Sequence, residues 1–403
     1  MAGSSVKAQT VLLLHGPRQA YQITNGYDVP LLVEDDETLI QTYTIGLNPI
    51  DWKAPDYNFG IATLPYIAGR ELAGRVAITP KRNSRLKEGD RVRYPPSSRK
   101  MLDYRDLRKA AYQEYVVSSD FNVARIPPSI SFQQAAGLGV AFSAAAITLG
   151  ICMGIDFSSI LDGPDLLQLV RSVEPESIPE DVRTECLHGI TDAERAVPGD
   201  WVAVWGGSST SANITVQLAR LAGLKVITIV DIAKHGLRIS GCSAQRPDLL
   251  IDSHDTDRAV DIINKSVGSQ LRFALDTRGR DSATILLEAL TRQKRLNDAP
   301  PSPPQTPREL KTQTSHLVGL TGLPKETAPE GIAYHTVPIK IFHTVPAVGE
   351  ALVLWLERLL EQGLIKPPPI IGVESGFDGV NKGLDRMRSG EISGGRLVVD
   401  LLA

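Results

Sequence analysis

Short apolar runs separated by turn residues dominate the first third of the chain. Alternation of apolar and polar positions predicts half-buried strands, and glycine and proline mark the turns that bound them. The predicted strands in this region are residues 9–15, 37–47, 72–78, 91–94 and 112–117. Many short strands joined by such turns predict a compact, barrel-like β domain.

A helical region and an acidic insert follow. Ser131 is a candidate helix N-cap, and residues 142–153 are apolar on nearly every side, which predicts a buried helix. Segment 156–198 is acidic and is interrupted by prolines. We interpret this segment as a structured insert with two short helices, at 166–173 and 180–188.

From residue 201 onward, strand-like and helix-like segments alternate. The predicted strands are 201–205, 225–231, 249–251, 273–276 and 316–320, and the predicted helices are 212–222, 259–267 and 282–293. This alternation predicts a parallel, doubly wound sheet. The proline-rich segment 298–307 is predicted to be an exposed loop, because proline fits neither a helix nor a central strand. A long amphipathic helix after residue 350, a helix at 376–388 and a strand at 396–402 complete the chain.

Charge and composition exclude several classes of function. The 403 residues carry a net charge of −3, which gives no general attraction to nucleic acid or to anionic membranes. No apolar run approaches the roughly 20 residues that cross a bilayer, and the N-terminus lacks the apolar core of a signal peptide. We therefore predict a cytoplasmic protein that binds neither nucleic acid nor membrane.

The cysteines and histidines form no local metal-binding motif. Cys152, Cys186 and Cys242 lie far apart, and neither C-x-x-C nor H-E-x-x-H occurs. The sequence therefore predicts no metal, and each cysteine is interpreted as a small buried apolar residue.

A turn rich in small residues follows the strand at 201–205, in the stretch WVAVWGGSSTSANITVQ. In dinucleotide-binding turns, three glycines allow the tight turn, the approach to the pyrophosphate and close helix–strand packing. Here Gly207 fits the first of these roles, whereas Ser209 and Ala212 replace the other two glycines. The predicted pyrophosphate contacts are the amides at the helix start and the residues Gly206, Gly207, Ser208, Ser209, Thr210 and Ser211. A polar turn that only caps the helix remains the alternative.

Charged residues at the end of the second strand bear on the choice of coenzyme. Asp231 is placed to accept a hydrogen bond from a ribose 2′-hydroxyl, which favours NAD. Lys234, His235 and Arg238 follow within two turns and could pair with a 2′-phosphate instead. These residues alone leave the choice open, and the alternative for the basic trio is a solvated helix face.

Several segments resemble the medium-chain dehydrogenase/reductase superfamily. They are GLNPIDWK at 46–53, PYIAGRELAG at 65–74, LKEGDRV at 86–92 and the ending that contains SGEISGGRLVV. The resemblance covers nearly the whole chain except 156–198 and 298–307. It implies an α/β fold with a GroES-like β-rich catalytic domain at 1–140 and 347–403 and a Rossmann dinucleotide-binding domain at 141–346.

The residues at two positions point to the zinc-free branch of this superfamily. Its zinc-dependent alcohol dehydrogenases have a Cys where Asn48 stands and a His where Arg70 stands, and a protonated guanidinium cannot ligate a metal. The segments WGGSSTSANITVQLARLAG and RFALDTRG most resemble the fungal trans-acting enoyl reductases that serve polyketide synthases in secondary metabolism. That resemblance implies NADP(H), with NAD(H) as the alternative, and reduction of an α,β-unsaturated thioester by hydride transfer to the β-carbon.

The same resemblance implies roles for individual residues. Lys53 and Ser143 are the candidate catalytic residues, and Lys53 would either bond the ribose hydroxyls or stabilise the developing enolate. Besides the turn at 206–211, the candidate cofactor-binding residues are Ile50, Asp51, Trp52, Lys53, Asp231, Lys234, Ser253, Leu320, Thr321 and Arg396. Ser253 stands where the family often has a tyrosine. The candidate substrate-binding residues are Ser143, Ala144, Ala145, Ala146, Ile147 and Gly150.

A basic stretch raises the possibility of a carrier-protein partner. Residues 81–109 contain 11 basic and 4 acidic residues, so they could attract an acidic acyl carrier of a polyketide synthase. A solvated loop face is the alternative. A stand-alone quinone or enone reductase, a zinc-free alcohol dehydrogenase-like enzyme, and a redox-silent binding protein or non-redox catalyst remain alternative functions, and monomer and homodimer both remain open.

Overall fold

The computed structural model describes residues 7–94, 106–297 and 314–402. The chain forms two compact units, of which unit 1 is Met1–Ser143 with Lys340–Ala403 and unit 2 is Ala144–Ile339. The prolines of segment 298–307 lie outside the described residues.

Strands and helices are numbered in chain order. The described strands are β1 (Ala8–Leu13), β2 (Gln22–Asp28), β3 (Glu37–Gly46), β4 (Leu72–Ile78), β5 (Arg91–Tyr94), β6 (Tyr115–Ser119), β7 (Ala124–Arg125), β8 (Trp201–Trp205), β9 (Lys225–Val230), β10 (Leu249–Asp252), β11 (Leu271–Asp276), β12 (Ser315–Gly319), β13 (Ile332–Thr336), β14 (Ile370–Ser375) and β15 (Arg396–Asp400). The described helices are α1 (Pro49–Tyr57), α2 (Phe132–Ala136), α3 (Gly139–Ile147), α4 (Leu166–Ser172), α5 (Glu180–His188), α6 (Thr210–Leu221), α7 (Ile232–Gly241), α8 (Thr256–Ser266), α9 (Arg280–Asn297), α10 (Ile341–Thr344), α11 (Pro346–Glu361) and α12 (Asp378–Arg388).

Unit 1 is built on a seven-stranded sheet. Its strand order is β14-β15-β3-β4-β5-β7, with β6 also paired to β3, and every pairing except β14–β15 is antiparallel. The long strand β3 pairs with β15, β4 and β6, and most of its residues are buried. Strands β1 and β2 form a separate hairpin. The core of this unit includes Val11, Leu12, Ile40, Val92, Tyr94, Val116 and Val399.

Unit 2 is built on a parallel sheet of six strands in the order β10-β9-β8-β11-β12-β13. Strands β8 and β11 occupy the middle, and their nearly continuous apolar runs suit a sheet that is covered on both faces. The strand order reverses between β8 and β11, and doubly wound sheets bind their ligands at the carboxyl ends of the strands at such a point. The predicted fold class, an α/β chain with a β-rich unit and a doubly wound parallel sheet, is confirmed.

Several predicted elements differ in extent from the structure, and two of them show why. The apolar segment 142–153 is not one α-helix, because α3 ends at Ile147 and a π-helical turn follows at Thr148–Cys152. A uniformly apolar pattern cannot reveal a change from α to π hydrogen bonding. Strand β6 begins at Tyr115 rather than at residue 112, since the backbone of Tyr112 bonds to Leu12 and Ala68 instead.

Segment 156–198 is folded into unit 2. It contains α4 and α5, and Leu166, Leu167 and Val170 are buried. Within the described ranges, none of the helices has the length and apolarity that crossing a bilayer requires.

Candidate functional site

The turn after β8 is tight because two glycines pass close to neighbouring strands. Gly206 has φ +81°, and a Cβ there would overlap Oγ1 of Thr277, which follows β11. A Cβ on Gly207 would overlap the Thr228 methyl group on β9. Larger residues therefore do not fit at either position without displacing a strand.

Hydroxyl groups lock this turn and begin helix α6. The Ser209 Oγ accepts a hydrogen bond from the Ala212 amide (3.1 Å), which makes Ser209 the N-cap. The same hydroxyl donates to Thr277 Oγ1 (3.0 Å), and Thr277 donates to the Trp205 carbonyl (3.0 Å). Because the Ala212 amide already donates to Ser209, the backbone amides left to bind an anion at the start of the helix are those of Thr210 and Ser211.

The next two strands bring further residues to the same edge of the sheet. Asp276 ends β11, is fully buried and accepts hydrogen bonds from the amides of Arg278 (2.9 Å) and Gly279 (2.6 Å). Burial raises the pKa of Asp276. The Leu320 amide donates to the Asp276 carbonyl (2.9 Å), which places Leu320 and the exposed Thr321 beside the end of β11. No role was predicted for Thr277 or Arg278, although both lie in the segment RFALDTRG.

A small charged cluster forms where β9 and β10 end. Asp231 is the N-cap of α7 and accepts from the Lys234 amide (3.0 Å), with Lys234 Nζ at 3.4 Å from its carboxylate. His254 Nε2 lies 3.6 Å from the same carboxylate, and His254 Nδ1 lies 3.1 Å from Asp252. Slight desolvation raises the pKa of Asp231, but the hydrogen bonds and charge of Lys234 and the nearby His254 outweigh it and lower that pKa overall.

Only one member of the predicted basic trio extends into solvent. The Lys234 side chain is 72% exposed, whereas His235 is buried and Arg238 is half-buried against Gln245 (3.3 Å). Ser253 is half-buried, and the exposed imidazole beside it belongs to His254, which the sequence analysis missed. A serine followed by a histidine in a polar loop carries no pattern that would have identified it.

A buried polar network surrounds Asn48 in unit 1. The Asn48 side-chain amide donates to Glu71 (2.9 Å) and accepts from Arg396 (3.0 Å), and Arg396 also pairs with Glu71. The Val140 backbone amide donates to the second Glu71 oxygen (3.0 Å), and the Asp51 carboxylate accepts from the Asn48 backbone amide (3.0 Å). Burial lowers the pKa of Arg396 to about 10. Arg396 and Asp51 thus hold this network together, and their contact with the cofactor stays a prediction.

The other cofactor residues predicted on α1 lie nearer the surface. Lys53 is exposed, and its Nζ lies 5.7 Å from the centre of the half-buried Trp52 ring. The Arg388 guanidinium lies 5.8 Å from the same ring, and Ile50 is half-buried. The roles assigned to Ile50, Trp52 and Lys53 stay predictions.

The predicted substrate residues are mostly buried. Residues 144–147 are almost inaccessible, and a Cβ on Gly150 would meet the Leu166 side chain at 2.8 Å. Ser143 is 1% exposed, and within the described part of the chain its hydroxyl has no hydrogen-bond partner. Packing explains residues 144–147 and Gly150 without a substrate but does not explain why the Ser143 hydroxyl lacks a partner among the described residues, and the substrate role of all six residues stays a prediction.

Most of the described cations in the basic stretch 81–109 are already paired or buried. The contacts join Arg82 to Asp120, Arg85 to Glu357, Arg91 to the carbonyls of Pro127 and Ile130, and Arg108 and Lys109 to Glu37. Lys81 and Lys87 are exposed, whereas Arg99, Lys100 and Arg105 lie outside the described residues. The net positive count along the sequence therefore overstates the charge that this stretch offers to a partner.

Asp51 gives the network a pH dependence. Burial raises the pKa of Asp51 to about 6, above the value of 3.8 for a free aspartate. The folded protein binds the carboxyl proton of Asp51 more tightly than the unfolded chain does. Protonated Asp51 therefore contributes fully to the free energy of unfolding below about pH 4, and this contribution is lost as the pH rises through 6. We expect Asp51→Asn to raise the free energy of unfolding by about 1–2 kcal/mol at pH 7.5 but not at pH 4. Urea unfolding at both pH values measures this, and an equal effect at both would contradict the assignment.

Comparisons with known proteins find a family match within unit 1 and solved structures of the same fold over nearly the whole chain. Residues 34–128 match the alcohol dehydrogenase GroES-like domain. The Escherichia coli quinone oxidoreductase complexed with NADPH has the same fold, with a TM-score of 0.66 at 16% identity over 98% of this chain and 100% of that one. The CurK enoyl reductase aligns with a TM-score of 0.65 at 16% identity, covering 97% of this chain and 99% of its own.

Curated relatives match along nearly the whole sequence. Trans-enoyl reductase caaB of Aspergillus niger is 28% identical, covering 97% of this chain and 96% of its own. Trans-enoyl reductase buaC of Petromyces alliaceus is 27% identical, covering 96% of this chain and 95% of its own. The predicted resemblance is confirmed: residues 34–128 match the alcohol dehydrogenase GroES-like domain, and the chain is similar along nearly its whole length to fungal trans-enoyl reductases.

Proposed function

We propose that this protein is an NADPH-dependent enoyl reductase that acts on α,β-unsaturated acyl thioesters supplied by a polyketide synthase. The observation that carries the proposal is the turn at Gly206 and Gly207, located at the reversal of strand order between β8 and β11. Sequence similarity to trans-enoyl reductases over almost the full chain supports the substrate class.

The residues of the turn fit a dinucleotide. Thr210 and Ser211 offer amides at the positive end of the α6 dipole, where a pyrophosphate binds well. Ser209 and Thr277 hold that end of the helix against β11, so the amides are preorganised. When bound, the coenzyme supplies the hydride for the β-carbon of the acyl group. Lys53 or backbone amides would stabilise the enolate oxygen of the thioester.

We also propose that no catalytic zinc is bound at Asn48. The Asn48 amide group is already engaged on both sides, by Glu71 and Arg396. The neighbouring Arg70 cannot act as a ligand while it is protonated. Carbonyl polarisation therefore falls to hydrogen-bond donors of the protein rather than to a Lewis acid.

A direct assay tests the function. The purified chain is incubated with a crotonyl pantetheine thioester and NADPH carrying deuterium at both hydrogen positions of nicotinamide C4, and the product is analysed by mass spectrometry. One deuterium at the β-carbon of a saturated thioester is the expected result. Turnover of quinones or free enones but not of thioesters would favour the stand-alone reductase. In a separate titration, the absence of saturable quenching of tryptophan fluorescence by either NADPH or NADH would favour a redox-silent protein.

Asp231 is expected to limit the preference for NADPH. Its ionised carboxylate would repel a 2′-phosphate, which Lys234 attracts. We expect Asp231→Ser, which retains a capping side chain, to lower the Kd for NADPH relative to the Kd for NADH about tenfold, the equivalent of 1.4 kcal/mol. Asp255→Ser is the matched control, since Asp255 is also a helix N-cap in this unit, at the start of α8. An unchanged ratio of the two Kd values in Asp231→Ser would show that this carboxylate does not affect the preference between NADPH and NADH.

A further inference from the structure

A second group of chemically reactive side chains lies within unit 2. It consists of Cys152 in the π-helical turn, Glu185 on α5 and His335 on β13. One ligand atom from each residue lies within 4.8 Å of the others, and both Cys152 and His335 are buried. The three residues come from distant parts of the sequence, so no local spacing could have revealed the group.

Hydrogen bonds orient the imidazole at the centre of this group. His335 Nδ1 lies 2.7 Å from Glu185, and its Nε2 lies 2.9 Å from Nδ1 of the buried His316. His316 in turn stacks on Phe273 with ring centres 5.3 Å apart and planes 13° apart. A histidine that ligates a metal characteristically bonds a second group through its other ring nitrogen, and His316 is placed to be that group.

The donor set suits a divalent transition ion. Thiolate, carboxylate and imidazole are all ligands of Zn²⁺, which binds them at about 2.0–2.3 Å, so the atoms of this cluster need to close in only slightly. One thiolate and one carboxylate also neutralise a doubly charged ion, which removes the main cost of burying it. The π-helical turn supports a special role for Cys152, because such turns occur often at functional sites.

We propose that Cys152, Glu185 and His335 bind one Zn²⁺ ion, with His316 supporting His335. The ion links the π-helical turn, α5 and β13 through the side chains of Cys152, Glu185 and His335. Two of them, α5 in the insert 156–198 and strand β13, are far apart in the chain. Three protein ligands leave the fourth tetrahedral position of the ion to water, and the site is separate from the Asn48 network, where we propose that no zinc is bound. Binding displaces the thiol proton of Cys152 and the hydrogen bond between Glu185 and His335.

Cobalt substitution tests the proposal because a thiolate–Co²⁺ bond absorbs in the near ultraviolet. The full chain is dialysed against a chelator and titrated with Co²⁺, and separately with Zn²⁺ while the melting temperature is followed. We expect one equivalent of Co²⁺ to bind with a thiolate charge-transfer band, and Zn²⁺ to displace it and raise the melting temperature. Cys152→Ser should lose the band, and His316→Gln should weaken binding about 10–100-fold.

Two other cysteines serve as matched controls. Cys186 adjoins Glu185 on α5, and Cys242 follows α7, so serine at either position should leave the band in place. Circular dichroism checks that each variant is folded. The proposal is overturned if the unmodified chain shows no thiolate band, or if the band survives in a folded Cys152→Ser variant. If Cys152→Ser does not fold, the double variant Cys186→Ser with Cys242→Ser decides, because a thiolate band in that variant can come only from Cys152. NADPH binding is measured in parallel, so that failure of the zinc site and failure of the reductase function are distinguished.

Discussion

Gly206→Ala is expected to weaken NADPH binding about 100-fold, the equivalent of about 3 kcal/mol. The added Cβ would overlap Thr277 Oγ1 and approach the Arg278 side chain at 2.8 Å, so the turn must move away from β11. That movement disturbs the hydrogen bond between Ser209 and Thr277 and shifts the first amides of α6. Each hydrogen bond to a charged group contributes about 1.5–3 kcal/mol, so loss of two accounts for the effect. Quenching of tryptophan fluorescence on titration with NADPH measures it, since Trp205 immediately precedes the turn.

Gly223→Ala separates this effect from a general loss of stability. Gly223 has φ +77°, close to that of Gly206, but it follows the opposite end of α6. Alanine in that backbone conformation costs about 1–2 kcal/mol of stability at either position. We expect Gly223→Ala to lower the melting temperature while the Kd for NADPH stays within about twofold of the unmodified protein. Equal weakening of NADPH binding in both variants would mean that the turn has no specific role.

The sequence predicted best those elements in which local pattern and burial agree. Strand β8 is a continuous apolar run followed by a capping serine, and its bounds are as predicted. The strands β2, β13 and β14 were missed, because their pairing with a neighbour decides them rather than their own pattern. Strand β2 is almost entirely exposed and has few apolar residues, and β14 has only alternate half-buried positions.

The candidate site divides in the same way. The glycine turn was predictable, because a strand, small residues and a helix follow one another in sequence. The bond from Ser209 to Thr277 was not, since these residues are 68 positions apart. Glu71 lay in a quoted family segment without any assigned role, yet it accepts hydrogen bonds from Asn48 and Val140 and pairs with Arg396. The partners of Glu71 lie outside its own segment, so the sequence motif could not show that this buried residue is the centre of the network.

Glu71→Ala is expected to lower the free energy of unfolding by about 3–5 kcal/mol, as does removal of one partner from a buried ion pair. Glu71 and Arg396 are both nearly inaccessible, so the variant leaves the Arg396 guanidinium buried without its charge partner and the Asn48 side-chain N–H without its acceptor. Urea unfolding measures the change. Glu374→Ala is the control, because Glu374 pairs with Arg386 nearer the surface of the same unit and should contribute about 0–1 kcal/mol.

The double variant Glu71→Leu with Arg396→Met shows what the network is for. Replacing both charges by apolar side chains of similar size leaves no unpaired charge, but the Asn48 side chain and the Val140 amide lose their bonds to this pair. We therefore expect the double variant to regain part of the stability lost in Glu71→Ala. If stability returns while thioester reduction is lost, the network positions α1 and Asn48 for catalysis. If both return, the charged pair only fills the space around Asn48. A Glu71→Ala variant as stable as the Glu374→Ala control would contradict the buried pairing itself, and with it the argument that Asn48 is unavailable to a metal.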